Sequence, residues 1–267
     1  MNKICKFYVK GNCKEKECKY IHKNNICRNY FFGECNTLEC NRNHEYKLNK
    51  KKINTENYNP EYREHSMVVK IITSKIVQPK ENDVFLTPNL FCDENDKFIY
   101  NKLLNEIKET GINDIFKLWH GDTHLIADDH VKWKKLCPTF NYIIETLESF
   151  YGIEIKASRF NWYKDSNDFK PYHFDAAAID IKKAESQNMT IGVSFGATRE
   201  IAFEHAEFNR IINNKKERCT VSFPLVNGMT YGFGKKINIE WRHGIPQIHP
   251  SNYSDEGRIS IIVWGQI

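Results

Sequence analysis

Residues 5–22 read CKFYVKGNCKEKECKYIH, and residues 27–44 read CRNYFFGECNTLECNRNH. Both have the pattern C-x7-C-x4-C-x3-H, so every cysteine and histidine of the first recurs 22 residues later. Three thiolates and one imidazole suit a structural zinc ion, and so short a segment cannot bury a core of its own. The repeat therefore predicts two zinc-stabilised modules. Their expected Zn²⁺ ligands are Cys5, Cys13, Cys18 and His22 in the first module, and Cys27, Cys35, Cys40 and His44 in the second.

The two modules resemble the tandem CCCH (C3H1-type) zinc-finger family, which commonly binds single-stranded RNA. Their side chains agree with that use, because rings can stack on bases while cations meet phosphates. The candidate RNA-binding residues are Lys6, Phe7, Tyr8, Tyr20, Arg28, Tyr30, Phe31 and Phe32. Each aromatic ring has an alternative use, packing over its zinc site, and CCCH fingers can also bind proteins.

Charge is distributed unevenly along the 267 residues. Residues 1–52 contain 13 Lys and Arg against 5 Asp and Glu, whereas the whole chain has a net charge of +5. The basic surplus therefore lies around the fingers, where it would attract phosphate. Nothing at the N-terminus looks like a secretory signal, and no stretch reaches the roughly 20 apolar residues of a membrane span. We expect an intracellular protein, cytoplasmic or nuclear, that is neither secreted nor bound in a membrane.

The chain is predicted to have three parts: fingers in residues 1–46, a polar linker in residues 47–66, and a second domain in residues 67–267. In the second domain, residues 67–77 and many later apolar runs, including INIEW at 237–241, are typical of strands. Two helical patterns precede most of these runs. We therefore expect an α+β, mainly β fold: a double-stranded β-helix, or jelly roll, backed by helices.

One short motif in this domain indicates chemistry. His173 and Asp175 form an H-x-D pair, and one further histidine would complete a two-histidine, one-carboxylate triad with open positions on Fe(II). By position, both His243 and His249 qualify. Arg258 follows them and could pair with a cosubstrate carboxylate. Taken one at a time, these residues could equally be ordinary polar side chains.

Residues 137–267 resemble the AlkB-like branch of the 2-oxoglutarate/Fe(II) dioxygenases. Asn161-Trp162-Tyr163 and then His173-Phe174-Asp175 match two motifs of that branch in order. Segment 228–246 resembles its hydrophobic strand, glycine turn and distal-histidine strand, and segment 258–263 resembles its last strand. The resemblance implies that His173, Asp175 and His243 are catalytic and hold Fe²⁺. It further implies that Asn161, Tyr163 and Arg258 bind 2-oxoglutarate.

The chain also departs from that family. Trp264 stands where many members have a second arginine, Ser260 where an asparagine is common, and Ala176–Ala178 where the DNA-repair members have acids. Our leading interpretation is an RNA-binding dioxygenase that demethylates or hydroxylates RNA. The alternatives are a protein side-chain hydroxylase acting on an RNA-associated partner, and a non-catalytic RNA-binding regulator. A further histidine cluster, His120, His124 and His130, is expected to lie in a surface loop or lid.

Overall fold

The computed structural model describes residues 3–32, 35, 39–46, 67–118, 123–130, 132–207, 210–212 and 215–267. The chain divides into two compact units, residues 1–55 with 248–253 and residues 56–247 with 254–267. Within the described ranges, no helix has the length and apolar character needed to cross a bilayer. The predicted linker, residues 47–66, lies outside the described residues.

The first unit contains two similar modules. Each begins with a short helix directly after its first cysteine, α1 (Lys6–Val9) and α2 (Arg28–Phe32). An isolated parallel bridge joins the residue before that cysteine to the residue before the histidine, Ile4 with Ile21 and Ile26 with Asn43. Apolar side chains of both modules then pack together: Ile26, Phe31 and Phe32 with Ile4, Val9 and Tyr46. The two modules therefore share one small apolar cluster.

Two longer helices belong to the second unit, α3 (Phe98–Glu109) and α4 (Pro138–Tyr151). Proline at the first turn of α4 suits a helix start, and α4 ends at Gly152, whose φ of 65° is in the left-handed region that glycine favours. Glu106 of α3 is buried and accepts hydrogen bonds from the N–H and hydroxyl of Thr139, at 2.9 and 2.6 Å. The carboxylate thus satisfies the N-terminus of α4 and joins the two helices.

Fourteen strands occur in the described part of the chain. In order they are β1 (Val69–Ile71), β2 (Val84–Thr87), β3 (Phe116–Leu118), β4 (Leu125–Ala127), β5 (Glu154–Tyr163), β6 (Lys170–His173), β7 (Met189–Gly196), β8 (Arg199–His205), β9 (Arg210–Ile212), β10 (Lys215–Glu217), β11 (Thr220–Leu225), β12 (Thr230–Gly234), β13 (Trp241–Ile245) and β14 (Arg258–Gln266). Eight form the larger sheet, in the order β1-β2-β12-β7-β14-β5-β4-β3, and β11-β8-β13-β6 form a smaller one. Strands β9 and β10 form a separate hairpin. The fold is therefore mainly β, as the sequence predicted.

The larger sheet has two differently covered faces. Along β14, Ile259, Ile261 and Val263 belong to the apolar cluster that includes residues of α3 and α4. A second cluster joins side chains of the two sheets, such as Phe233 of β12 with Phe203 of β8. Side chains alternate along a strand, so the even-numbered residues of β14 lie on the face turned toward the smaller sheet. The space between the sheets is where the predicted site residues converge.

Two local expectations were wrong. Strand pairing in residues 67–77 is limited to β1, three residues long, and Ile76 is 91% exposed. The INIEW run is not a strand throughout, because Lys235–Glu240 form a short helix and the strand begins at Trp241. The helix buries Asn238 against the backbone of Asp175, a long-range contact that overrides the local alternation of isoleucines.

Candidate metal centres

The two Cys3His sets converge as their spacing predicted. The ligand atoms of Cys5, Cys13, Cys18 and His22 lie within 4.8 Å of one another, and so do those of Cys27, Cys35, Cys40 and His44. The first and third sulfurs of each set are 3.7 Å apart. Tetrahedral Zn–S bonds of about 2.3 Å require sulfur–sulfur edges of about 3.8 Å. Both sets therefore fit a structural zinc ion.

The backbone and a ring support each set in the same way. The N–H of Tyr8 points at Cys5 Sγ at 3.4 Å, and the N–H of Tyr30 points at Cys27 Sγ at 3.5 Å. The same two tyrosine rings stack on the ligand histidines, with centroids 4.2 Å apart at His22 and 4.4 Å apart at His44. For Tyr8 and Tyr30 the structure therefore shows the alternative use of the ring, which is packing over the zinc site.

The predicted RNA-binding side chains differ in exposure. Lys6 and Tyr20 are exposed, and Lys19 Nζ lies 5.4 Å from the centre of the Tyr20 ring. Phe7, Tyr8, Arg28 and Tyr30 are half-buried. Phe31 and Phe32 are 2% and 5% exposed, because they form the apolar contact between the two modules. The prediction that these two phenylalanines stack on bases was therefore wrong.

The H-x-D motif meets a distal histidine between the sheets of the second unit. His173 ends β6 and is the register partner of His243 on the neighbouring strand β13, with ring centroids 4.4 Å apart. Asp175 Oδ1 lies 3.8 Å from Nε2 of His173 and 3.6 Å from Nε2 of His243. All three ligand atoms fall within 4.8 Å. Of the two candidate histidines, the structure thus brings His243 to the motif, whereas His249 caps the exposed turn Pro250–Asn252.

Several contacts orient these three side chains. His173 Nδ1 lies 3.0 Å from the carbonyl oxygen of Pro171, and donating to it leaves Nε2 available as a ligand. Burial and the neighbouring His243 lower the pKa of His173 to about 3, although 34% of its side chain is accessible. Burial opposes ionisation of Asp175, but the interactions with His243 and His173 outweigh it, so its pKa lies below the usual range. Neutral imidazole and ionised carboxylate are the forms that bind metal.

A cavity of about 510 Å³ opens at this triad. Its walls include Asn161 and Tyr163, to which the AlkB-like resemblance assigns cosubstrate binding, and Asn161 Nδ2 donates to the Ser260 carbonyl at 3.2 Å. Arg258 lies just behind these walls. It is 1% exposed, its guanidinium carbon is 5.1 Å from the centre of the Tyr163 ring, and its Nε donates to Ser194 Oγ at 2.7 Å. Its Nη1 and Nη2 are buried with no hydrogen-bond partner among the described residues.

Motif reasoning missed one residue near this arginine. Tyr231 of β12 lines the cavity; burial raises the pKa of its hydroxyl, while the nearby Arg258 and Ser260 oppose that rise. The Tyr231 ring packs directly against Gly192 of β7. A Cβ at position 192 would lie 2.5 Å from the ring, so only glycine fits there. Tyr231 and the buried hydroxyl of Ser260 are therefore further polar groups around the guanidinium. A tyrosine in an apolar strand gives no sequence signal of such a role.

His124 was placed wrongly by the sequence. It was expected in a surface loop or lid, but it is 2% exposed, lines the cavity and stacks on Tyr163 with centroids 4.6 Å apart. Burial and the positive charge of Lys170 lower its pKa to about 3. Of the other two members of that cluster, His130 is exposed and His120 lies outside the described residues. The antiparallel pairing of β4 with β5 brings His124 to the site.

The departures from the AlkB-like pattern also lie at the cavity. Ser260 and Trp264 line it on β14, and Ala176 lines it just after the H-x-D motif, while Ala177 is buried. Three cationic side chains, Arg159, Lys170 and Lys183, share the cavity with one acid besides Asp175, which is Asp129.

No protein-family model matches the sequence, and no curated protein matches it. Among solved structures, the chain is similar to a prolyl hydroxylase from Trichoplax adhaerens in complex with a hypoxia inducible factor peptide fragment, at 9% identity and a TM-score of 0.44, covering 68% of this chain and 83% of that one. A non-heme alpha ketoglutarate dependent epimerase, SnoN from nogalamycin biosynthesis, matches at 15% identity and a TM-score of 0.45, covering 70% and 78%. OsALKBH1 matches at 13% identity and a TM-score of 0.44, covering 71% of this chain and all of the other. These similarities concern the fold alone and carry no argument about substrate or activity.

Proposed function

We propose that the second unit is a 2-oxoglutarate- and Fe(II)-dependent dioxygenase with a double-stranded β-helix fold. One observation carries this proposal: a cluster of two histidines and one carboxylate opens onto a cavity that is backed by a buried arginine with unsatisfied nitrogens. Two imidazoles and a carboxylate suit non-heme Fe(II) and leave coordination positions open. A buried guanidinium with open donors suits a carboxylate ligand.

Each residue then has a defined task. Nε2 of His173 and His243 and Oδ1 of Asp175 hold the metal, because these atoms face a common point. Arg258 would form the salt bridge to the distal carboxylate of 2-oxoglutarate, and Asn161 and Tyr163 would hold the cosubstrate in the cavity. When bound, Fe(II) and 2-oxoglutarate use O₂ to hydroxylate a substrate C–H bond, with succinate and CO₂ as the other products.

We further propose that the modules at the N-terminus are CCCH zinc fingers that bind single-stranded RNA, and that RNA is oxidised. The basic surplus of residues 1–52 and the exposed Lys6, Lys19 and Tyr20 support RNA binding. The cationic side chains of the cavity, Arg159, Lys170 and Lys183, support a substrate that carries phosphate. Attachment to one chain would raise the local concentration of RNA at the oxidising site.

The test uses the full chain, loaded with Zn²⁺ and then with Fe(II) under anaerobic conditions. Methylated single-stranded RNA oligonucleotides, 2-oxoglutarate and air are added, and nucleosides, formaldehyde and succinate are measured. We expect loss of one methylated nucleoside with matching formaldehyde. The variant His173→Ala should abolish it, and the matched control His249→Ala should not. Succinate that does not respond to any RNA, with every nucleoside unchanged, would rule out RNA as the substrate.

One observation favours a second candidate, a protein side-chain hydroxylase. The segment after the H-x-D motif presents Ala176 to the cavity and buries Ala177, and neither side chain has a polar group with which to read a base. In that case a peptide from an RNA-associated partner should gain one oxygen atom in a reaction that depends on His173. Mass spectrometry of partners captured by the full chain, with His173→Ala as the control, distinguishes the two. If neither the RNA nor any partner protein is modified, the third interpretation remains, a non-catalytic RNA-binding regulator in which the barrel is only a scaffold.

A further inference from the structure

Asn238 is a buried asparagine whose side-chain amide contacts both backbone polar groups of Asp175. Its Oδ1 accepts a hydrogen bond from the N–H of Asp175 at 2.9 Å, and its Nδ2 donates to the carbonyl oxygen of Asp175 at 3.3 Å. The two residues are 63 positions apart in the chain, and Asn238 is 2% exposed. Because an amide has a donor and an acceptor in one plane, this double contact fixes both the place and the direction of the main chain at Asp175.

The short helix that carries Asn238, Lys235–Glu240, is itself attached at both ends. A backbone N–H in its first turn donates to the carbonyl oxygen of Glu81 at 2.9 Å, and its last carbonyl oxygen accepts from the N–H of Ala206 at 2.8 Å. Strand β13, which carries the distal histidine, begins at the next residue. The double contact therefore joins the segment of the H-x-D motif to the helix that leads into the other ligand strand.

The carboxylate of Asp175 is held by a second residue, Thr190 on β7. The Thr190 hydroxyl donates to Oδ2 at 2.8 Å, and Thr190 is 7% exposed. The other oxygen, Oδ1, lies 3.8 Å from Nε2 of His173 and 3.6 Å from Nε2 of His243. Because the hydroxyl binds Oδ2, Oδ1 is the oxygen that faces the two imidazoles.

We propose that Asn238 and Thr190 are positioning residues for the metal ligand Asp175. Asn238 fixes the backbone of Asp175 relative to the strand of His243, and Thr190 fixes which carboxylate oxygen faces the ion. The physical reason is that a ligand held in its binding orientation loses less conformational freedom when the metal binds, and hydrogen bonds from outside the ligand set supply that orientation. The proposal rests on the metal centre proposed above, but not on the identity of the oxidised substrate.

The test measures metal binding, which requires no turnover. The full chain with Zn²⁺ in its fingers is titrated with Mn²⁺, a hard ion that prefers carboxylate to thiolate, and followed by calorimetry and by the EPR spectrum of the bound ion. Thr190→Val keeps the shape of the side chain and removes the hydroxyl, and Asn238→Leu keeps the volume and removes the amide. We expect each variant to bind Mn²⁺ about tenfold more weakly, with a changed EPR spectrum. Thr190→Ser, which keeps the hydroxyl, should restore most of the affinity.

The matched control is Asn188→Leu. The Asn188 side chain makes the same double contact with the backbone of Ile267, a residue outside the metal centre, at 3.0 Å to its N–H and 3.3 Å to its carbonyl oxygen. This variant should bind Mn²⁺ as the wild type does.

The melting temperature of each metal-free variant shows whether its second unit is folded. If Asn238→Leu does not fold, Asn238→Ser, whose hydroxyl replaces only one of the two contacts, takes its place. Wild-type Mn²⁺ affinity and an unchanged EPR spectrum in a folded variant would overturn the role of the residue replaced and leave the proposed function standing. Wild-type Mn²⁺ binding by His173→Ala would instead show that the metal centre itself is wrong.

Discussion

Replacing Arg258 by methionine tests the cosubstrate site most directly. The side chain is 1% exposed, and only its Nε has a hydrogen-bond partner among the described residues, so the fold gains little from its charge. A buried charge without a partner is costly, and we expect the melting temperature of the ligand-free variant to stay equal or rise. Losing a buried, charge-paired contact should reduce the binding free energy of 2-oxoglutarate by about 3 kcal/mol. That raises its dissociation constant roughly 150-fold.

Thermal unfolding with Mn²⁺ and 2-oxoglutarate measures both effects. At a 2-oxoglutarate concentration of about 100 times the dissociation constant, the unfolding free energy of the wild type should rise by about 2.7 kcal/mol. In a domain of this size, that raises the melting temperature by roughly 5 to 10 °C. At the same concentration Arg258→Met should gain only about 0.3 kcal/mol, or roughly 1 °C. Arg242→Met is the control, since Arg242 is 39% exposed and pairs with Glu204 on β8. A shift as large in Arg258→Met as in the wild type would refute this account of the cavity.

Three further predictions follow from residues of both units. His243→Ala should abolish Mn²⁺ binding to the second unit while His249→Ala leaves it intact, as measured by calorimetry; equal losses would contradict the assignment of the distal ligand. The folded-state pKa of His124 lies below its unfolded value of about 6.5, so its contribution to stability is complete above that pH and is lost as the pH falls toward 3. We expect about 2 kcal/mol of this loss at pH 5, and His124→Phe, which keeps a ring against Tyr163, should flatten the slope of unfolding free energy against pH between 6.5 and 5. Tyr20→Ala should weaken binding to single-stranded RNA by about 1 to 3 kcal/mol, measured by titration, without changing the fold. Phe31→Ala should instead unfold the finger pair, and a chelator should then remove Zn²⁺ more easily than from the wild type.

The sequence predicted best what is local. The four ligands of each finger lie within 18 residues, and the H-x-D pair is contiguous, so spacing alone indicated where the metals would lie. His243 is different, because only the pairing of β13 with β6 brings it to His173, and spacing could not separate it from His249. The resemblance to the AlkB-like branch was needed to choose between them. The coarse fold, mainly β with two Cys3His clusters at the N-terminus, is confirmed.

What the sequence did not predict depends on long-range packing. Whether an aromatic ring in a finger faces solvent is decided by the other finger, and so Phe31 and Phe32 were misplaced. His124 was expected in a loop because its histidine cluster lacks a complete ligand pattern, but the strand pairing beside it buries it. Asn238 and Thr190 carry no motif, and their importance appears only where their hydrogen bonds to Asp175 are seen.

The apolar cluster shared by the two fingers makes their metal sites interdependent. Phe31 and Phe32 of the second finger pack with Ile4 and Val9 of the first, so an ion lost from one module removes support from the other. Two sites coupled in this way fill over a narrower range of free Zn²⁺ than two independent sites. As the supply of zinc falls, both sites would empty together, and the finger pair would unfold over a narrow range of free Zn²⁺.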